Sequence, residues 1–334
     1  MRRAALRKRL AELSRPDGPR RSRLGGPLRL EDIDRICGLA EWHGVLPAVL
    51  RNLSSAECKF AAEPPALVGL LDGWRGRSAQ QAGLSLLLRA LCAGIIKALS
   101  RSNVPHMVLK GPEFADRLYS DPALRPFTDL DLLVPRRSVA AAAAVMTDLG
   151  YVGQRAQGLK HEGGYGEQTF ARPDQPGAKI EIHWNVVNSP ALQKGVSVVF
   201  EDLQFDGGEE MPVRPSAASL LLIAAVHGAT GHAFQRLQTL CDVRQAAAGA
   251  AGETDDDWLA GASARTGAAR PLAVGLDLAA GVFGDSACER LARRFKRGLR
   301  TRAARMLLTR AMVAAPPPLS RLRRQAFRQL LKRR

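Results

Sequence analysis

Aromatic residues are scarce: ten Phe, four Trp and three Tyr make up 5% of the 334 residues. Ala, Leu and Arg abound instead, a bias that speaks of coding composition as much as of function. Cysteine is also sparse. The five residues (Cys37, Cys58, Cys92, Cys241, Cys288) are odd in number and scattered, which excludes a disulfide framework and any Cys-based metal site with short spacing. The simplest reading is a reduced, cytoplasmic protein. The N-terminus is charged but lacks the apolar core of a secretory signal. No apolar run is expected to reach the roughly 18 residues that a membrane span needs; the longest candidate, Ala217 to Ala229, is short and contains His227. No internal repeat is present, which excludes a solenoid.

Charge is present in excess and unevenly placed. The net charge is +17. Residues 1–25 carry nine Lys/Arg against Glu12 and Asp17, and residues 289–334 carry sixteen against Glu289 alone, so the 26–288 body is net −5. A nucleic-acid groove running along the body is therefore not expected. Basic ends are, and they suit RNA or an anionic membrane surface, with peripheral attachment through the tail.

Hydrophobic residues form 46% of the chain, ample for a core. Residues 1–25 read as a basic, partly disordered arm. Residues 26–100 read as a helical region, with periodicity over Glu31–Leu53 broken near Gly44–Pro47, another helix beginning over Pro64–Leu71, and the clearest helix over Arg77–Ser100. Residues 101–214 alternate strand and helix patterns: strands near 104–110, 128–134, 150–154, 166–172 and 178–186, and helices over 112–119 and 136–149. Residues 215–288 read as four helices. Residues 289–334 read as a basic helical tail, with Leu319, Leu322, Ala326 and Leu330 near one face. The fold class is α/β in the α+β sense: a small mixed sheet flanked by helices.

The pattern that carries chemistry is Thr128-Asp129-Leu130-Asp131-Leu132-Leu133-Val134. Side chains alternate along a strand, so Asp129 and Asp131 share one face about 7 Å apart while Leu130 and Leu132 face a core. Two half-buried like charges need a cation between them, and divalent ions are the usual answer. Upstream, Val104–Gly111 reads as a strand ending in Lys110-Gly111, where Gly111 permits a tight turn and Pro112 suits the first helical position. Downstream, Ala178–Trp184 alternates so that Glu181 and His183 share a face, and Glu181 offers a third carboxylate. Lys110 would bring a point charge to phosphate, and the Arg125 fork suits phosphate or carboxylate. For His183, His227, His232 and Asp242 a structural role is the simpler reading; Tyr119 and Trp184 read as packing residues.

The string LKGPEFADRLYSDPALRPFTDLDLLV, followed by KIEIHW and preceded by LAEWHGVLP from Leu39 to Pro47, resembles a bacterial family of uncharacterised nucleotidyltransferases with the polymerase-β type of fold. The resemblance covers roughly residues 30–250. Lys-Gly-Pro stands where the general fold carries Gly-Gly or Gly-Ser, and the interval from Gly111 to Asp129 is long; both suit this branch. The resemblance implies Mg²⁺-dependent transfer of a nucleoside monophosphate from an NTP. Asp129, Asp131 and Glu181 would serve as catalytic and metal-binding residues for two ions, and Lys110, Gly111 and Arg125 would bind the nucleotide. It does not choose the acceptor among a small molecule, a peptide, a protein and tRNA. A non-catalytic nucleotide- or RNA-binding module on the same scaffold is the alternative.

Overall fold

A computed structural model describes residues 3–55, 57–154, 165–207, 211–250, 253–295, 298–308 and 321–332. Five strands form a mixed sheet: β1 (Met107–Val108), β2 (Asp129–Leu133), β3 (Val152–Gln154), β4 (Glu167–Arg172) and β5 (Gln175–His183), in the order β1-β2-β5-β4-β3. The β2–β5 pair is parallel and the others are antiparallel. A short hairpin pairs β6 (Phe205–Asp206) with β7 (Arg214–Pro215).

One face of the sheet is apolar because alternation puts Leu130, Leu132, Ile180 and Ile182 there, each at most 1% exposed. Against it pack α5 (Pro64–Arg101), through Leu88, Cys92, Ile95 and Leu99, and α7 (Val139–Asp148), through Ala142, Val145 and Met146. Each such side chain removed from water contributes about 1.5–3 kcal/mol. The other face carries the acids. It looks toward a helical body containing α3 (Leu30–Trp42), α4 (Leu46–Leu53), α9 (Ala217–Thr230), α10 (Leu237–Gly249), α11 (Glu253–Thr266) and α12 (Ala269–Phe283).

Four expectations need correction. The N-terminal segment is not a disordered arm: α1 (Arg3–Leu13) is followed by the short α2 (Arg21–Leu24), and Leu10 and Leu13 are fully buried. Asn52 donates to the Leu13 and Arg15 carbonyls at 2.7 and 2.8 Å, which fastens the end of that helix. The helix expected to begin at Pro64 and the one expected over Arg77–Ser100 are a single helix that runs unbroken for 38 residues. Arg89 and Lys97 break its apolar run but not its average: one 18-residue window reaches a mean hydropathy of 1.8, long and apolar enough to cross a membrane by composition, with 28% of it buried.

The basic tail is folded onto the body as well. It forms α13 (Ser286–Arg294), α14 (Leu299–Leu307) and α15 (Arg321–Leu331), α8 being the short Pro190–Gln193 turn. Phe327 and Leu331 of α15 are fully buried while Leu322 is exposed, so its packing face differs from the one expected; Leu319 lies outside the described residues. Trp184, the fourth case, is half-buried with Arg136 over its ring at 5.4 Å, not a core residue.

Candidate active site

The parallel register sets Asp131 beside Glu181 and Leu133 beside His183, so strand alternation alone brings Asp129, Asp131, Glu181 and His183 to one face. The antiparallel β4 adds Glu167 opposite His183. At the end of β1, Leu109 N–H donates to Asp131 O at 2.9 Å and the chain then turns at Gly111, where φ is +57°, into α6 (Pro112–Leu118). A side chain at Gly111 would find room, since the nearest atom is 3.5 Å from an added Cβ; the left-handed backbone is what favours glycine. This turn delivers Lys110 to the carboxylates.

Asp131 is fully buried. Lys110 Nζ lies 2.6 Å from its Oδ2 and 3.6 Å from Asp129 Oδ2, and His183 Nε2 lies 2.9 Å from Asp131 Oδ1 and 3.4 Å from Glu181 Oε2. Lys179 pairs with Glu181 from the same strand. Burial alone would raise the Asp131 carboxyl, but Lys110 and His183 outweigh it and hold the group ionised. Burial likewise opposes the charge on His183, yet its bonds to Asp131 and Glu181 push it up to about 9. Burial and the neighbouring Asp131 raise Asp129, which is more open, with a third of its side chain exposed. The two acids of the D-x-D pair thus sit in environments that push their proton affinities apart.

A metal fits this face. Asp131, Glu181 and His183 each offer a donor atom, all within 4.8 Å of one another. Asp131 Oδ2 is aligned with no hydrogen-bond donor although Lys110 is close, and His183 Nδ1 is likewise without one. The mixed oxygen and nitrogen set suits several divalent ions. Exchanging His183 for Asp129 gives the all-oxygen set that Mg²⁺ prefers. Asp129 stands outside the tight cluster and faces Lys110.

Arg125 clamps a carboxylate, one of the two partners its fork suits. Its Nε and Nη2 grip the two carboxylate oxygens of Asp242 at 2.8 and 2.9 Å, and Tyr119 donates to the same group at 2.8 Å. Its remaining nitrogen reaches Gly111 O at 3.3 Å. Arg125 therefore ties the Lys110-Gly111 turn to α10, and Tyr119 does more than pack.

His227 and His232 meet edge to face at 5.0 Å, and no ring nitrogen of either makes a hydrogen bond among the described residues. Burial drives both toward the neutral form, His227 well below the usual value and His232 to about 4. Structural hydrogen bonding, the expected role, is not what holds them. Both line two clefts that flank Lys110 and Asp129: one of about 550 Å³ containing Glu167, Glu181 and His183, the other of about 280 Å³ containing Gly111, Thr128 and Arg236. Glu167 was missed from the sequence. The alternation of Glu167 and Thr169 would have flagged it had the pairing of that strand with Lys179–His183 been known.

The motif Glu41-Trp42-His43-Gly44 also finds a structural reason. His43 Nδ1 accepts from Leu237 N–H at 3.2 Å, and Gly44, at φ +71°, has the Gln238 side chain 3.0 Å from where a Cβ would be. Gln238 then donates to Pro126 O at 2.7 Å. The N-terminal helices thereby set the start of α10 against the loop that leads into β2.

The small mixed sheet thus sets carboxylates on adjacent strands beside the Lys110-Gly111 turn, the residues on which the resemblance to uncharacterised nucleotidyltransferases rests. Residues 30–284 match the family described as uncharacterised nucleotidyltransferase, and the chain belongs to that family. Comparison with curated proteins and with solved structures gives no match.

Proposed function

We propose that the protein transfers a nucleoside monophosphate from an NTP to an acceptor, with Mg²⁺, releasing pyrophosphate. The observation that carries this reading is the in-register Asp131–Glu181 pair on neighbouring parallel strands, faced by Lys110 and flanked by two clefts. Asp129, Asp131 and Glu181 would hold the metal, which when bound neutralises the phosphates and the charge that develops at the α-phosphorus. Lys110 would exchange its ion pair with Asp131 for the triphosphate. Glu181 orients the acceptor oxygen and receives its proton; the new O–P bond forms at the α-phosphorus as the bond to pyrophosphate breaks in line.

One observation favours a second reading, a nucleotide-binding module without catalysis. Lys110, Lys179 and His183 already balance much of the acid face. The same experiment separates the two. Thermal unfolding is followed with ATP, CTP, GTP and UTP, with and without Mg²⁺, alongside pyrophosphate release. A ligand at 100 times its dissociation constant adds about 2.7 kcal/mol of stability. A Mg²⁺-dependent shift for one nucleotide, abolished by Asp129→Asn, supports the transferase site and names the donor. A shift indifferent to Mg²⁺ and to that variant would overturn the metal-dependent reading in favour of the binding module.

A further inference from the structure

The two clefts share Lys110, Asp129, His227 and His232, so two ligands could meet there. The smaller cleft contains the Lys110-Gly111 turn, and on the nucleotidyl-transfer reading above it receives the triphosphate. The larger is left for the acceptor, and its two sides differ in charge. One is the sheet face, where Asp129, Glu167 and Glu181 stand with Lys110, Lys179 and His183 and are largely balanced by them. The other is α15, which contributes Gln325, Arg328 and Gln329, with Lys332 in the turn just past its end. This helix carries no acidic residue at all.

Its placement is built. Phe327 and Leu331 are fully buried on one side of the helix, Arg270 donates to the Leu330 carbonyl, and Arg328 Nη2 donates to Gly231 O at 2.9 Å, one residue before His232. The last bond fastens α15 to the turn that presents the two histidines. The helix also lies wholly beyond residues 30–284, the span matched by the family. This wall of the cleft thus comes from outside the matched span and stands apart from the carboxylates of the reaction centre.

We infer that the acceptor is a small molecule bearing an anionic group, and that Arg328 of α15 and Lys332 just past its end recognise that group; this inference rests on the transfer reading. The charge pattern suits a two-ended ligand. A nucleophilic hydroxyl approaches Glu181 at the sheet face, while the anionic end is drawn to the basic wall. The cleft volume of about 550 Å³ is the size of a small-molecule site. Phosphate and carboxylate share the needed chemistry, since Arg binds either through its fork and Lys acts as a point charge.

The test uses the full chain and two probes, inorganic phosphate and malonate, each titrated by calorimetry into wild type, Lys332→Glu and the Arg328→Glu/Lys332→Glu pair, with nucleotide binding measured in parallel. Both sites are at the surface, and Lys332→Glu leaves the Arg328–Gly231 bond in place. A third variant, Phe327→Asp, releases the helix from its seat, with circular dichroism reporting that the body stays folded. The expected result is that at least one probe binds wild type, that each variant weakens it about tenfold or more, and that nucleotide affinity stays within about twofold. Binding of phosphate alone assigns a phosphorylated acceptor, and binding of malonate alone a carboxylated one. A parallel loss of nucleotide affinity would place the triphosphate against α15 and overturn the assignment. So would binding of neither probe, or probe binding indifferent to the variants. If no nucleotide binds wild type while the probe pattern holds, the transfer reading fails and the anion site stands.

Discussion

Asp129 and Asp131 are two residues apart and chemically identical, yet their surroundings give them different duties. Asp131 is closed in by Lys110 and His183, while Asp129 remains a third exposed. Replacing Asp131 by Asn leaves two cationic partners without their anion in a buried place, and removing one member of a buried pair costs about 3–5 kcal/mol. Asp131→Asn should therefore lower the unfolding midpoint in urea strongly as well as abolish Mg²⁺-dependent nucleotide binding. Asp129→Asn should lose the binding with a stability change within about 0.5 kcal/mol. Equal destabilisation by both would contradict the division of roles. The shared face of these acids was legible because strand alternation has a period of two. The Arg125–Asp242 pair was not, since 117 residues separate partners that only the docking of α10 brings together. Tyr119→Phe tests that network from its edge: losing one buried hydrogen bond to a charged acceptor should cost about 1.5–3 kcal/mol, read by the same denaturation.

At the scale of elements, helix and strand positions were largely readable from periodicity, and strand pairing was not. The parallel β2–β5 register joins segments about fifty residues apart, and the sequence between them names no partner. The turn after α9 is a further case. Gly228 and Gly231 suggest a helix break, and the helix ends at Thr230, but the reason lies elsewhere in the chain. Ala233 and Phe234 both adopt positive φ, 45° and 51°, and the Phe234 ring fills space against two glycines: a Cβ at Gly228 would lie 2.6 Å from it and one at Gly275 2.9 Å. The seated ring holds a backbone that L residues rarely adopt, and so fixes His232 beside His227. Gly228→Ala should push the ring from its seat and destabilise by about 1–3 kcal/mol. Its further mark should be weakened nucleotide binding in protein that remains folded, because the histidine shelf moves with the turn. Unchanged nucleotide affinity in a destabilised variant would separate the turn from the site.

Over the whole molecule, charge composition misled where burial was decided by long-range packing. Both basic ends look like solvated appendages by sequence, and both are seated on the same helical body. At the N-terminal end the seat is ionic: Arg244 of α10 donates to both oxygens of Asp17 at 2.9 and 2.8 Å and to Asp285 at 2.8 Å, joining the segment after α1 to the cap of α13. Burial by itself would raise both carboxyls, but Arg244 lowers Asp17, and for Asp285 the Cys288 N–H and Arg244 together do so. A carboxyl whose folded pKa is depressed contributes stability that is present above its unfolded value, about 3.9, and is lost as pH falls through the folded one. Asp17 is nearly half exposed, so solvent screens its share and Asp285 carries the larger part. Arg244→Met should thus lower the urea midpoint at pH 7, and the gap from wild type should narrow as pH falls from about 4 toward 2, because protonation removes in wild type what the variant has already lost. A gap that stayed constant over that range would mean that Arg244 holds the N-terminal segment by packing against Phe283, whose ring its guanidinium overlies at 5.9 Å, and not by its charge.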